Sequence, residues 1–273
     1  MLFRRTRRNF ATQPTRGSLA KIVSWNLLRL TGASLEDVVR LARREQPQLL
    51  LMQEATQRID DLPARIGGCY WRVLLPGRIH GLAMWSPVPL PPPIVIALPA
   101  GAMFERVCQL IDLGTFSVAN VHLSHGQLLN RRQLRTIAHS LPPRAAVLGD
   151  FNLVGPALLP GFRDVGPREP THVAGEMFPL RIDRCLVRGL ICTGAEALSR
   201  QASDHRPIVV RLGAAPASLK SGSLAVRGRP EALFWPGERQ AYAGADQQAS
   251  RETIAQAAMH RQRAARPRGG ERP

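Results

Sequence analysis

An α/β fold is predicted by the order of two kinds of segment in this 273-residue chain. Short apolar runs of strand length, several ending on a polar residue, alternate with stretches whose apolar residues recur at helical spacing. Residues 21–26 form the first buried-type strand. Ser34, three residues before Asp37, has the form of a capping box and starts a helix to about residue 46, with Leu35, Val38, Val39 and Ala42 apolar; Pro47 stops it. Residues 48–54 are a second buried strand, and 57–66 a short helix. The middle reads as β, at 69–75, 81–85, 94–97, 106–113 and 116–122, with the proline-rich 87–93 as a stiff loop. Residues 127–141 are helical, with Leu128, Leu134, Ile137 and Ala138 on one side and Arg131, Arg132 and Arg135 mostly on the other. A strand at 145–148 runs into Gly149-Asp150-Phe151-Asn152, and a long irregular loop leads to strands at 181–187 and 207–212.

After residue 212 the periodicity fades. Residues 213–273 are expected to be mostly disordered, with one helix near 251–263. One domain, 21–212, is therefore expected to carry the chemistry, between a basic disordered tail at 1–20 and a basic tail at 213–273. The net charge of +17 divides accordingly: +5 in the first tail, +7 in the domain and +5 in the second tail. Charge of this kind raises affinity for any polyanion and specifies no substrate. No run approaches the roughly 20 apolar residues of a membrane span. Cys69, Cys108, Cys185 and Cys192 lack zinc-site spacing and read as free thiols. Thr6-Arg7-Arg8-Asn9-Phe10 resembles the start of a twin-arginine export signal, but residues 11–20 supply no apolar segment, so a cytoplasmic monomer is expected.

The informative feature is a repeated arrangement at strand ends. Apolar strands end on Asn26, on Glu54, on His122, on Asp150 with Asn152, and on Asp204 with His205, while Asp183 lies within another strand. Packed strands bring such ends to one mouth. Carboxylate and amide oxygens there suit a hard cation such as Mg²⁺, and histidines beside them suit proton transfer. A donor set without cysteine argues against structural zinc. Taken singly, each residue has an ordinary explanation as a turn cap, a helix-start acid or a core histidine. The coincidence of six points to a site.

Six motifs resemble, in the same order, those of the endonuclease/exonuclease/phosphatase superfamily: Ser24-Trp25-Asn26, Leu51-Met52-Gln53-Glu54, Asn120-Val121-His122-Leu123, Gly149-Asp150-Phe151-Asn152, Arg181-Ile182-Asp183 and Ser203-Asp204-His205-Arg206-Pro207-Ile208. The resemblance covers about residues 21–212. It implies a four-layered α/β sandwich, two packed mixed sheets flanked by helices, and a divalent-metal-dependent phosphodiesterase or phosphatase. By the same resemblance Glu54, with Asn26 and Asp204, would hold Mg²⁺ or Mn²⁺. Asp150 would orient and deprotonate the attacking water, and Asn152 would position that water or donate to the phosphate. His205 would stabilise the pentacovalent state, Asp183 would fix its tautomer, and His122 would protonate or stabilise the leaving oxygen.

Leu27-Leu28-Arg29 after Asn26, and a histidine at His122, place the chain nearer the pancreatic-deoxyribonuclease and sphingomyelinase side of the family than the abasic-site endonucleases. No acidic partner for His122 is evident, since Arg78-Ile79-His80 occupies that region; His125 and His172 read as loop residues. Arg58, Thr171 and Arg206 are expected to bind substrate at the mouth. The favoured activity is a phosphodiesterase or endonuclease acting on nucleic acid by in-line water attack. The alternatives are hydrolysis of a phospholipid headgroup or soluble phosphate ester, and an inactive binding module.

Overall fold

The computed structural model describes residues 19–29, 31–101, 105–174 and 178–215. Nearly all of both expected tails, including the helix at 251–263, lies outside these residues. The chain divides into two units, Met1–Lys220 and Ser221–Pro273, and every described residue belongs to the first. The elements run β1 (Ala20–Asn26), α1 (Leu35–Glu45), β2 (Leu49–Thr56), α2 (Leu62–Ile66), β3 (Cys69–Leu74), β4 (His80–Ser86), β5 (Ile94–Leu98), β6 (Arg106–Asp112), β7 (Ser117–His122), α3 (Gln127–Ser140), β8 (Ala145–Asp150), β9 (Arg163–Asp164), β10 (His172–Ala174), β11 (Phe178–Leu180), β12 (Asp183–Arg188), β13 (Leu190–Ala197) and β14 (Ile208–Ala214).

Two six-stranded sheets result, ordered β13-β14-β1-β2-β4-β3 and β5-β6-β7-β8-β12-β9, with β10-β11 as a separate ribbon. The β1–β2 and β7–β8 pairs are parallel and the remaining pairs antiparallel, so both sheets are mixed. Side chains alternate across a strand, so one row of each central strand faces the opposite sheet and the next faces a helix. Ile22, Leu49, Leu51, Ile208 and Val210 of the first sheet pack with Val118, Ala146, Leu148, Cys185 and Val187 of the second. The intervening residues Val23, Trp25, Leu50 and Met52 pack under Val38, Val39 and Ala42 of α1 and Leu62 of α2. On the other side Ala119, Val121, Ala145 and Val147 pack under Leu134 and Ile137 of α3. The architecture is thus the four-layered α/β sandwich.

Local signals explain where elements begin. Ser34 Oγ accepts from the Asp37 backbone N–H at 3.3 Å while Asp37 Oδ2 accepts from the Ser34 N–H at 2.9 Å, the reciprocal capping box at the start of α1. The helix expected at 57–66 divides into a 3-10 turn, Gln57–Ile59, and α2, which carries Pro63 in its first turn. The long loop expected before residue 181 contains β9, β10 and β11, and β13 follows β12 where no strand was expected. β13 is an edge strand with a register shift between Cys192 and Gly194, which breaks the alternation a sequence reading relies on. On α3, Leu128 is 80% exposed, and Asn130 and Gln133 join Leu134 and Ile137 on the buried side. All four cysteines are free. Among the described residues no helix is long and apolar enough to cross a membrane.

Candidate active site

The alternation that builds the core also builds the site. The inward row reads Ile22, Ser24, Asn26 along β1, Val118, Asn120, His122 along β7, and Ala146, Leu148, Asp150 along β8. β12 runs the other way, from Asp183 through Cys185 to Val187. Register places Asn26 beside Gln53, and both His122 and Asp183 beside Asp150, so every row turns polar at the same end of the sandwich. A buried amide layer floors that end. Gln53 Nε2 donates to Asn120 Oδ1 at 2.8 Å and to Ser24 Oγ at 3.1 Å, and Asn120 Nδ2 donates to Gln109 Oε1 at 2.9 Å.

Glu54 breaks the alternation. The β2–β4 register shifts between Met52 and Ala55, and Glu54 adopts φ +55°, so the irregularity turns its carboxylate into the mouth. Gly149 has φ +142°, and a Cβ there would stand 2.1 Å from the Val121 carbonyl oxygen, so only glycine lets β8 approach β7 and deliver Asp150. The polar residues of α3 hold the turns beyond. Gln133 accepts from Ser124 N at 3.0 Å and donates to the Pro99 carbonyl at 2.9 Å, and Asn130 donates to the Phe151 carbonyl.

The mouth is an open cavity of about 560 Å³ whose lining includes Asn26, Glu54, His122, Asp150, Asn152, Asp204 and His205. Asp150 is central. Its Oδ2 accepts from Asn26 Nδ2 at 3.0 Å and lies 3.4 Å from His122 Nε2 and 3.8 Å from His205 Nε2; its Oδ1 accepts from the Asn152 backbone N–H at 2.8 Å. Burial raises its pKa to about 6, against the pull of His205. Asp183 sits behind, with its Oδ2 2.8 Å from His205 Nδ1. Burial opposes charging His205, but Asp183, then Asp150 and Asp204, outweigh it and lift the imidazole to about 9. Asp150, Asp183 and His205 also offer ligand atoms within 4.8 Å of one another, but all three are buried, Asp183 is taken by His205 Nδ1 and both Asp150 oxygens accept from Asn26 and Asn152. His122 is the converse: burial first, then Arg106, holds it well below the ordinary range, and its buried Nδ1 has no hydrogen-bond partner. The region from Arg78 to His80 thus supplies His122 with no acid.

Among the described residues Glu54 makes no side-chain hydrogen bond, and burial raises its pKa despite the field of Arg29, which marks a carboxylate suited to a cation. Asp204 and the Asn26 Oδ1, which otherwise accepts only from Leu28 N at 3.1 Å, complete an oxygen donor set at the same mouth. Chemically these residues fit a hard divalent ion.

Two of the three residues expected to bind substrate at the mouth lie elsewhere. Thr171 is fully buried, and its Oγ1 accepts from the Ile182 and Asp183 N–H groups at 3.2 and 3.0 Å. The Arg206 guanidinium donates to the carbonyls of Leu198, Pro170 and Ala197. Arg58 is not in the lining of the main cavity but shares an adjoining cleft with Glu54 and Arg29. Conversely, Arg29, His80, Arg106, His125 and His172 line the cavity although none of them belongs to the expected site residues. Arg106 is 7% exposed, its Nε has no hydrogen-bond partner, and burial lowers its pKa against the pull of Asp150 and Glu54. Its only sequence signal is an arginine, next to Glu105, at the head of a largely apolar strand.

Among solved structures, the chain resembles an endonuclease/exonuclease/phosphatase from Beutenbergia cavernae DSM 12333, at 17% identity and TM-score 0.58 over 72% of each chain. It resembles D. rerio TDP2 complexed with single strand DNA product at 15% identity and TM-score 0.59, covering 72% of this chain and 99% of that one. The Haemophilus ducreyi cytolethal distending toxin matches at 19% identity and TM-score 0.51, over 70% of this chain and 97% of that one. At these identities the likeness concerns the fold. No curated protein matches by sequence. A family model described as "Endonuclease/Exonuclease/phosphatase family" matches residues 23–205, well over half of the chain. With its sandwich fold and acid-and-histidine mouth, the chain belongs to the endonuclease/exonuclease/phosphatase family, whose general reaction is hydrolysis of phosphate esters.

Proposed function

We propose that the protein is a divalent-metal-dependent phosphodiesterase that cleaves nucleic acid by in-line attack of water. The observation that carries this reading is Asp150, an acceptor enclosed by Asn26, His122 and His205, with the half-buried carboxylate of Glu54 in the same mouth. A divalent cation, Mg²⁺ or Mn²⁺, held by Glu54, Asp204 and the Asn26 Oδ1, would neutralise charge on a non-bridging phosphate oxygen. The protein supplies the rest. Asp150, with a pKa of about 6, is ionised at neutral pH yet basic enough to take a proton from water. Asn26 and the Asn152 backbone N–H fix both of its oxygens. Asn152 Nδ2 donates one hydrogen to the Leu123 carbonyl at 3.0 Å, which leaves its other hydrogen and its Oδ1 for water or phosphate.

His205, charged and oriented by Asp183, donates from Nε2 to a phosphoryl oxygen as charge builds there. His122 is kept neutral, so it contributes a hydrogen bond to the leaving oxygen rather than a proton. The poorly satisfied Arg106 guanidinium adds a fixed positive charge to the same wall. Nucleic acid is favoured among phosphate esters by the additional arginines of the cavity, Arg29 and Arg78, and by a fold neighbour solved with a single-stranded DNA product.

The test is a substrate panel with Mg²⁺ or Mn²⁺: plasmid DNA, single-stranded DNA, RNA, sphingomyelin and inositol phosphates, with His205→Ala as control. Nucleic-acid cleavage by the wild type and its loss in the variant support the reading. Cleavage confined to the lipid or inositol phosphates overturns the substrate, and no hydrolysis of any of them overturns the activity.

A further inference from the structure

His172 is not used by the mechanism above, yet it stands in the cavity beside two residues that are. Its Nε2 lies 3.3 Å from Asp204 Oδ2, and its ring is tilted against that of His205 with centroids 4.5 Å apart. Ligand atoms of His172, Asp204 and His205 all fall within 4.8 Å of one another. We propose that these three residues form a second cation site, selective for a borderline transition ion such as Zn²⁺, and that filling it switches the hydrolase off. The inhibition, though not the binding, rests on the function proposed above.

Geometry and donor chemistry both support the site. A tetrahedral zinc with bonds of about 2.0–2.1 Å holds its ligand atoms roughly 3.3 Å apart. The His172–Asp204 pair already has that separation. Two imidazole nitrogens and one carboxylate suit zinc and its neighbours in the first transition row, whereas the all-oxygen set of Glu54, Asn26 and Asp204 suits Mg²⁺. Asp183 accepts from His205 Nδ1 at 2.8 Å, which is the carboxylate–histidine arrangement that orients a ligating imidazole toward a metal through its other nitrogen. Both histidines sit on fixed backbone: His172 and His205 form a β-bridge, and Val173 N donates to the Asp204 carbonyl at 3.3 Å. The Nδ1 of His172 is buried without a partner, so Asp204 alone holds this ring by hydrogen bonding, and its Nε2 can turn to an ion without breaking a second bond. All three residues line the open cavity, which leaves the fourth position to water.

Occupancy would inhibit for a simple reason. The ion takes the His205 Nε2 that otherwise donates to phosphate, displacing its proton to solvent, and it takes Asp204 from the hard-cation set.

The test compares wild type with His172→Gln, after metal removal, in buffer holding excess Mg²⁺. Calorimetric titration with Zn²⁺ should show one site in the wild type, weakened about 10–100-fold in the variant. Titration of the wild type with Co²⁺ should give the intense visible bands of a tetrahedral ion, a readout that needs no variant to fold. Equal Zn²⁺ affinity in the two proteins, or a pale octahedral Co²⁺ spectrum in the wild type, overturns the site. In Mg²⁺-driven hydrolysis, the Zn²⁺ concentration for half-inhibition should rise by the same factor as the binding constant. Zn²⁺ that binds through His172 and leaves hydrolysis unchanged overturns the switch. A wild type that hydrolyses nothing overturns the switch along with the function, while calorimetry and the Co²⁺ spectrum still decide the site.

Discussion

Replacing Asp183 by Asn keeps the side chain's shape and removes its charge, which isolates what the carboxylate does for His205. Burial alone would push the buried imidazole below its ordinary 6.5, and the acids around it, Asp183 foremost, lift it to about 9. At about 1.4 kcal/mol per pKa unit, the net preference for the charged ring is worth about 3 kcal/mol. The folded-state value lies above the unfolded one, so this stabilisation is complete below pH 6.5 and is lost as pH rises through about 9. Urea unfolding of metal-free wild type should therefore lose about 3 kcal/mol across that interval. Asp183→Asn should leave His205 neutral at pH 7, seen in its ring ¹⁵N shifts, and should flatten the stability profile over the same range. Turnover should fall about 10³–10⁴-fold, as when the acid of a Ser-His-Asp triad becomes Asn. A variant that keeps both the wild-type pH slope and a charged His205 at pH 8 would refute the reasoning.

Three further outcomes are expected. The wild type should melt at a higher temperature on adding Mg²⁺, and Glu54→Gln should abolish that rise while melting normally without metal. Gly149→Ala forces a side chain to φ +142° and drives its Cβ against the Val121 carbonyl, so it should cost about 3 kcal/mol, seen as a fall of about 6–12 °C in Tm. Asp164 joins two arginines, at 2.8 Å from Arg181 Nη2 and 3.0 Å from the buried Arg184 Nη1. Burial works against its ionisation, but Arg181 and Arg184 hold its carboxyl below the ordinary 3.8. Its contribution is therefore present above that pH and lost on acidification, and Asp164→Asn should cost about 3 kcal/mol at neutral pH with a shallower acid limb in urea unfolding.

The central strands were legible because buried strands read as apolar runs. Their polar ends stood out because Asn26, Asp150 and Asp183 continue the inward row of Ile22, Leu148 and Cys185. The capping residues of α1 were legible because the box is a local signal. β13 was not, since an edge strand with a register shift keeps no clean alternation. Nor were the directions of Thr171 and Arg206. Arg206 lies inside a site motif and Thr171 ten residues before another, but the backbone groups they satisfy belong to neighbours that only the tertiary fold brings near. The burial of Asn130 and Gln133 on α3 was not legible either, since the turns they hold lie on other elements. Arg106 and His172 became visible only through what surrounds them in the cavity.

Asp150 is the group proposed to take the proton from water. Asp150→Asn removes that capacity while keeping a polar side chain of the same shape; relief of the buried charge works against the loss of the acceptor for Asn26 Nδ2, so the fold should be kept. Steady-state hydrolysis of a single-stranded oligonucleotide with Mg²⁺ or Mn²⁺ should fall about 10²–10⁴-fold, the usual contribution of a positioned base, in a variant that still unfolds cooperatively. Turnover within a factor of about three of wild type would contradict the account, since general-base catalysis contributes far more than that.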